Sequence, residues 1–188
     1  MNSISALFRP AMLGLARKGA VILLGVTLIT LCAKIRVPSW PVPMTLHTLA
    51  VMPIALAAAP RLAMATFTAY LMAGAAGLPV FSGTPERGIG LAYMVGPTGG
   101  YLLGYLVASW VSGAMAQGRG TPGRIGAMLA GLAITYAAGL LWLIKFVPVG
   151  EVVALGFMPF ILGDLINIAM VALGAKALPA RLMGRLGQ

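Results

Sequence analysis

The sequence predicts an all-α membrane protein whose six transmembrane helices form one domain over residues 1–188. Only 9% of the residues are charged, whereas soluble domains carry roughly 25%. Hydrophobic residues make up 60% of the chain, and they fall in six apolar runs, which predict six membrane spans. The first run is short for a straight span of about 20 residues, so this span is expected to borrow flanking residues at both ends. The basic residues stand at the ends of these runs, so the net charge of +10 indicates membrane topology and not nucleic-acid binding.

The bounds of the spans follow from the apolar runs and from their polar, glycine or proline breaks. The predicted spans cover residues 19–33, 45–59, 62–76, 98–116, 125–144 and 152–178. A basic segment, residues 1–18, precedes them and is expected to form a short amphipathic helix on the membrane surface. A basic tail, residues 179–188, follows them. Within span 2, Pro53 predicts a kink, and Pro60 predicts its end.

Two connections between the spans are predicted to be irregular. Residues 37–45 contain three prolines within six residues, which excludes a helix and predicts an extended loop. Residues 77–97 are rich in Gly and Pro but keep aromatic and aliphatic side chains. A long, partly apolar loop is usually functional. Because lipid cannot satisfy irregular backbone, this loop must pack on protein or line a cavity.

Spans 4 and 5 each carry small residues at a spacing of four, which places them along one side of a helix. In span 4 these are Gly96, Gly100, Gly104, Ala108 and Ser112, and in span 5 Ala127, Gly131, Thr135 and Gly139. Small residues let neighbouring helices approach closely. We interpret both ridges as helix-packing surfaces.

The charge distribution predicts the orientation in the membrane. Six spans place both termini on one side, and nine Lys and Arg residues fall on that side against four on the other. Cytoplasmic loops carry the excess of basic residues, so both termini are expected in the cytoplasm. The protein is therefore predicted to be a multi-pass membrane protein, with the proline loop, the 77–97 loop and the start of span 6 facing outward.

Asp164 is the acid that has a long apolar run on both sides, residues 152–178. Ionisable residues inside spans are costly and usually face a cavity, a partner or a substrate path. Asn167 lies three residues later and Phe160 four earlier, so all three share a helix face. We interpret this face as the floor of a polar pocket. The alternative is a structural Asp that hydrogen-bonds a neighbouring helix.

The residue inventory disfavours several kinds of site. His47 is the single histidine, and no Cys or second His gives metal-ligand spacing. No Walker A sequence is present, so an active importer would draw its energy from another subunit. A membrane enzyme using Asp164 would need a second titratable group, for which only His47, Lys34 or Arg87 is available.

Other candidate ligand contacts each have a structural alternative. His47 either lines the pocket or caps the start of span 2. Arg87 would suit a carboxylate-bearing ligand, or it pairs with Glu86 in the loop. Phe81 and Tyr93 either pack on a ligand's rings or seat the loop at the membrane interface.

Four segments resemble the BioY family, the biotin-binding S components of energy-coupling-factor (ECF) vitamin transporters. They are Trp-Pro-Val-Pro-Met-Thr-Leu-His-Thr-Leu-Ala-Val at 40–51, Gly-Ala-Ala-Gly-Leu-Pro-Val-Phe-Ser-Gly at 74–83, Gly-Pro-Thr-Gly-Gly-Tyr at 96–101 and Pro-Phe-Ile-Leu-Gly-Asp at 159–164. Each segment alone is weak evidence, but four in the same order are fairly specific. Together they extend over most of the chain.

The resemblance implies a six-helix, S-component-like bundle with a loop-capped vitamin pocket near the outer surface. It implies biotin as the transported ligand, no cofactor, and partnership with a transmembrane coupling subunit and ATPase subunits in the lipid bilayer. The expected function is the high-affinity substrate-binding subunit for biotin uptake. The candidate ligand-binding residues are Thr45, His47, Phe81, Ser82, Gly83, Arg87, Tyr93, Gly96, Thr98, Gly99, Asp164 and Asn167. Asp164 and Asn167 are expected at the ureido ring, and the Thr98–Gly99 backbone or Arg87 at the carboxylate.

Three departures from the family pattern keep alternatives open. The family usually has Lys where Asn167 stands and Gln where His47 stands. The small-residue row expected on span 1 reads Gly25, Ile29, Ala33 and is interrupted by the isoleucine. The alternatives are an S component for another vitamin, a membrane enzyme using Asp164, and a structural or assembly subunit without a ligand.

Overall fold

The computed structural model describes residues 3–37, 41–82 and 89–177, and these residues form a helical bundle. The helices are α1 Ser3–Lys34, α2 His47–Ala57, α3 Pro60–Ala75, α4 Leu91–Val95, α5 Gly99–Ala116, α6 Thr121–Leu143, α7 Val152–Gly156 and α8 Met158–Ala177. Two short strands, β1 Arg36–Val37 and β2 Met44–Thr45, pair antiparallel on either side of the proline loop. The all-α prediction is thus confirmed, with this two-residue pairing as an addition.

The N-terminal basic segment and the first predicted span form one helix. We expected a separate surface helix before residue 19, but α1 runs from Ser3 to Lys34 without a break. Pro60 is the first residue of α3. Proline is suited to this position because the N–H groups of the first helical turn have no partner within the helix. The preceding Ala59 is extended, with φ −60° and ψ 145°, which is the conformation favoured before proline.

Two elements differ from the sequence prediction. The loop 77–97 contains the short helix α4, Leu91–Val95. The last apolar run was predicted as one uninterrupted span, whereas the structure divides it at Phe157 into α7 and α8. Pro159 lies in the first turn of α8 and has no N–H to donate to an earlier turn, so the helix restarts there.

The small-residue ridges of α5 and α6 pack against each other, which confirms their interpretation as helix-packing surfaces. The hydroxyl of Ser112 donates to the Ala127 carbonyl at 3.0 Å. A Cβ on Gly104 would lie 2.7 Å from the Cα of Thr135. Backbone-to-backbone approach of this kind requires glycine, and it brings the polar residues of the two helices to one level.

The row on α1 that contains Gly25, Ile29 and Ala33 faces the inside of the bundle. Ile29 and Ala33 are 1% and 0% exposed, and Gly25 lies directly against Thr66 of α3. The row therefore packs α1 onto its own bundle.

Three segments within the described part of the chain are long and apolar enough to cross a membrane. They are Gly14–Lys34, Thr121–Leu143 and Val149–Ala175. Large apolar side chains cover the outside of the bundle, including Leu24, Leu141 and Leu162, each about 70% exposed. Apolar exposure on this scale is suited to lipid and not to water, and the chain is a membrane protein.

We expect Gly104→Ala to lower the free energy of unfolding, because the new methyl group meets the immovable backbone of Thr135. Overpacking of this kind typically costs about 1–3 kcal/mol. Thermal unfolding of the detergent-solubilised protein measures the change. Gly126→Ala is the matched control, since Gly126 lies on α6 with nothing within 4 Å of a Cβ. Equal melting temperatures for the two variants would contradict the packing account.

Candidate functional site

A cavity of about 350 Å³ lies between α2, α5, α6 and α8. Its volume falls within the range of small-molecule sites. Its lining is largely apolar and aromatic, with a few convergent polar groups. The lining residues are Pro43, Thr45, Leu46, His47, Ser82, Tyr93, Thr98, Tyr101, Leu102, Tyr105, Thr135, Tyr136, Phe160, Gly163, Asp164, Ile166, Asn167 and Met170.

Asp164 stands at one polar end of this cavity and is 8% exposed. The hydroxyl of Tyr136 on α6 donates to its Oδ2 at 2.6 Å. The side chains of Thr48 on α2 and of Asn167 on α8 also lie within hydrogen-bonding reach of the carboxylate. Charge-assisted hydrogen bonds of this kind offset the cost of burying a carboxylate. Asp164 therefore hydrogen-bonds neighbouring helices and also lines the cavity. The structural interpretation and the pocket interpretation of this residue are compatible.

Tyr105 extends the polar end towards α5. Its hydroxyl lies 2.7 Å from the Oγ1 of Thr48, which in turn reaches Asp164. Four helices, α2, α5, α6 and α8, thus each contribute a polar side chain to one network around the carboxylate, which Tyr105 reaches through Thr48. Such a network fixes the positions of the side chains before any ligand arrives.

The loop after α3 is held against the cavity by Phe81 and Ser82. The Phe81 ring packs edge-on against Tyr70 at 5.3 Å between centroids and stacks on Tyr93 at 5.1 Å. The Lys34 ammonium at the end of α1 donates to the Phe81 carbonyl at 2.7 Å. Ser82 and Tyr93 join through their hydroxyls at 2.7 Å, and both line the cavity. Phe81 itself lies behind this wall.

His47 is buried at the start of α2, and its ring forms part of the cavity wall. Its Nδ1 lies 2.6 Å from the Oγ1 of Thr45, and its Nε2 lies 3.1 Å from the hydroxyl of Tyr70. The ring stacks nearly parallel to Tyr105, with 5.7 Å between centroids. Among the described residues, no side-chain hydrogen bond caps the N-terminus of α2, so of the two alternatives for His47 the structure favours the cavity wall over the helix cap. Both ring nitrogens are engaged within the protein.

Seven of the predicted site residues line the cavity: Thr45, His47, Ser82, Tyr93, Thr98, Asp164 and Asn167. Three others are placed elsewhere. Phe81 supports the wall, Gly96 uses its carbonyl to accept the Trp142 indole N–H at 2.9 Å, and Gly99 lies close against the Met94 carbonyl. Gly83 and Arg87 lie outside the described residues.

The sequence interpretation missed the tyrosines. Tyr101, Tyr105 and Tyr136 all line the cavity, and none of them is among the predicted site residues. A signal was available, because a tyrosine within an apolar span needs a partner for its hydroxyl when it is buried. Tyr101 and Tyr105 are also four residues apart and share a face of α5.

Within the described residues, no three His, Cys, Asp or Glu side chains group as a metal site. A membrane enzyme using Asp164 would need a second titratable group, for which the candidates are His47, Lys34 and Arg87. His47 is hydrogen-bonded to Thr45 and Tyr70, and Lys34 donates to the Phe81 carbonyl.

Residues 3–184 match the sequence model of the BioY family. The chain belongs to the BioY family. A relative from Pyrococcus horikoshii, named "Probable biotin transporter BioY", is 34% identical over 163 residues, which cover 87% of this chain and 96% of the relative. The "Biotin transporter BioY" of Thermotoga maritima is 35% identical over 153 residues, covering 80% and 89% of the two chains.

The fold of this chain is similar to that of one solved structure. The "S-component for biotin from an ECF-type ABC transporter" aligns with a TM-score of 0.65 and 21% identity, over 92% of this chain and 91% of the other. Membership of the BioY family confirms the resemblance predicted from the four segments. It also confirms the prediction of a transporter over a membrane enzyme, since the family's members are named transporters.

We expect Tyr136→Phe to destabilise the BioY chain, because the buried carboxylate loses its donor at 2.6 Å. Removing one partner of a buried hydrogen bond typically costs about 1–3 kcal/mol. In an Asp164→Asn background the same change should cost less, since no carboxylate remains to be satisfied. Thermal unfolding of the four proteins in a double-mutant cycle tests this coupling. An equal cost in both backgrounds would show that the bond does not stabilise the fold.

Proposed function

We propose that this BioY chain binds biotin in the cavity beside Asp164 and serves as the substrate-binding S component for biotin uptake. The observation that carries the proposal is one buried carboxylate, held by neutral donors, in the wall of a largely apolar cavity. The names of the relatives specify biotin as the ligand of those proteins, and their similarity to this chain supports the same ligand here.

The chemistry of biotin matches the two kinds of surface in the cavity. Its ureido ring offers two N–H donors and one carbonyl acceptor. Asp164 accepts hydrogen bonds, and the Asn167 amide both donates and accepts, so together they complement that ring. The bicycle is apolar and suits the aromatic wall of Tyr93, Tyr101 and Phe160.

We assign the carboxylate end of biotin to Thr98, which lines the cavity. Thr98 is the N-cap of α5, Gly99–Ala116, and the positive end of the helix dipole favours an anion there. Arg87 and Gly83 remain part of the proposed site as loop residues outside the described ranges. Gly96 and Gly99 contribute by shaping the turn, and Phe81 contributes by holding Ser82 in place.

The proposed topology has six spans in one domain over residues 1–188, with both termini in the cytoplasm. It rests on nine Lys and Arg residues on the terminus side against four on the other. The cavity then opens towards the outside of the cell, where the vitamin is captured. The proposed location is the cytoplasmic membrane of a bacterium.

The proposed partners are a transmembrane coupling subunit and ATPase subunits. The chain has no Walker A sequence, so ATP-driven uptake needs such partners. The Gly25 row of α1 is buried against α3, so the docking surface for a coupling subunit lies on another part of the bundle.

Biotin binding to the purified protein tests the assignment of Asp164. We expect Asp164→Asn and Asp164→Ala to weaken binding about 10- to 100-fold, since hydrogen bonds to a charged group are worth roughly 1.5–3 kcal/mol. Titration calorimetry of the detergent-solubilised protein measures the affinity. Glu151→Gln is the matched control, because Glu151 is an exposed acid that does not line the cavity.

Unchanged affinity in both Asp164 variants would remove this residue from the site. Titrations with thiamine and riboflavin test the remaining alternative of another vitamin, which the Asn at position 167 keeps open. Tighter binding of either compound than of biotin would overturn the choice of ligand.

Uptake of labelled biotin tests the need for partners. In cells without a biotin transporter, we expect the chain to raise uptake strongly only when ECF coupling and ATPase subunits are co-produced. Equal uptake with a Walker-lysine variant of the ATPases would contradict the proposed energy source.

A further inference from the structure

Hydrogen bonds connect the two outer segments that wall the cavity, and His47 lies at their centre. Thr45 belongs to the segment after the proline loop, and Val80 belongs to the loop after α3. Between them, the Tyr70 hydroxyl donates to the Val80 carbonyl at 3.4 Å and lies 3.1 Å from the Nε2 of His47. The Nδ1 of His47 lies 2.6 Å from the Thr45 hydroxyl.

These contacts engage both ring nitrogens of His47. A neutral imidazole has one donor and one acceptor nitrogen. In either tautomer, Nδ1 meets the Thr45 hydroxyl and Nε2 meets the Tyr70 hydroxyl. No nitrogen of His47 remains for a ligand, although its ring lines the cavity.

We propose that His47 is a positioning residue that sets the spacing of the two loop segments and thereby controls how long the ligand is retained, without hydrogen-bonding the ligand itself. The proposal takes biotin as the ligand from the proposed function. The connection between the two segments can be tested in the ligand-free protein.

Two conservative substitutions separate the two contacts of His47, one with Thr45 and one with Tyr70. His47→Asn places an amide group near the position of Nδ1 and keeps the bond with Thr45, whereas His47→Gln places one near the position of Nε2 and keeps the bond with Tyr70. Tyr70 does not line the cavity, so Tyr70→Phe removes only the second contact. We expect each lost contact to raise the biotin dissociation rate about tenfold, in line with the cost of an unsatisfied buried group.

The test combines dissociation rates with hydrogen exchange of the ligand-free protein. The variants are His47→Asn, His47→Gln, His47→Ala and Tyr70→Phe, with the double variants of Tyr70→Phe. We expect faster exchange at residues 44–46 and 80–82 in His47→Ala. Tyr70→Phe should add nothing to His47→Asn and should add about tenfold to His47→Gln. Thr68→Val is the control, because its hydroxyl bonds only the Met64 carbonyl of its own helix.

Each outcome either supports or contradicts the proposal. Unchanged hydrogen exchange at both segments in every variant would show that His47 does not connect them, whatever ligand the protein binds. Faster exchange at the segments with an unchanged biotin dissociation rate would show that the connection does not control retention. A tenfold further increase in the dissociation rate when Tyr70→Phe is added to His47→Asn would contradict the proposal in the same way. If the parent protein bound no biotin, the proposed function would fail while the exchange data would still test the connection. Tyr70→Phe keeps the test open if His47→Ala does not fold.

Discussion

A carboxylate buried within a membrane protein is stable only when donors surround it, and Asp164 imposes this requirement on the whole bundle. The donors come from different helices: Tyr136 from α6, Thr48 from α2 and Asn167 from α8 itself. These helices must approach at one level, and the cavity is the space that their polar groups leave between them. The cavity and its polar end are thus two results of one electrostatic constraint.

The close packing of α5 and α6 is what allows that convergence. Gly104 lies against the backbone of Thr135, and Tyr136 follows at once on α6. A larger residue at the glycine would separate the two helices and withdraw the Tyr136 hydroxyl from the carboxylate. The part of the cavity wall formed by the loop after α3 depends in a similar way on small and aromatic residues. Phe81 occupies the space that Gly74 leaves free, and its stacking on Tyr93 holds Ser82 at the cavity.

The sequence was most informative where a residue is costly. Asp164 stands out because few acids occur in apolar runs, and the structure places it with Asn167 in the cavity wall. The packing ridges were visible because small residues at a spacing of four are typical of close helix contacts in membranes. Family membership followed from four motifs in order, which the BioY match confirms.

The sequence was less informative where side chains have several possible partners. The roles of Tyr136 and Tyr105 depend on which helices are neighbours, and a spacing within one helix does not give that. His47 allowed two interpretations because its place at the start of a helix does not identify its partners, Thr45 in the preceding segment and Tyr70 on α3. The break at Phe157 was hidden because proline in the first turn of a helix and proline inside a span look alike in an apolar run.

The most direct test of the central claim is the distance from the Asp164 carboxylate to the nearest biotin nitrogen in an experimental structure of the complex. Our account predicts a hydrogen bond of about 2.7–3.2 Å, with the ureido ring between Asp164 and Asn167 and the bicycle against the tyrosine wall. Biotin bound elsewhere on the protein, or in the cavity with its ureido ring turned away from Asp164, would contradict it.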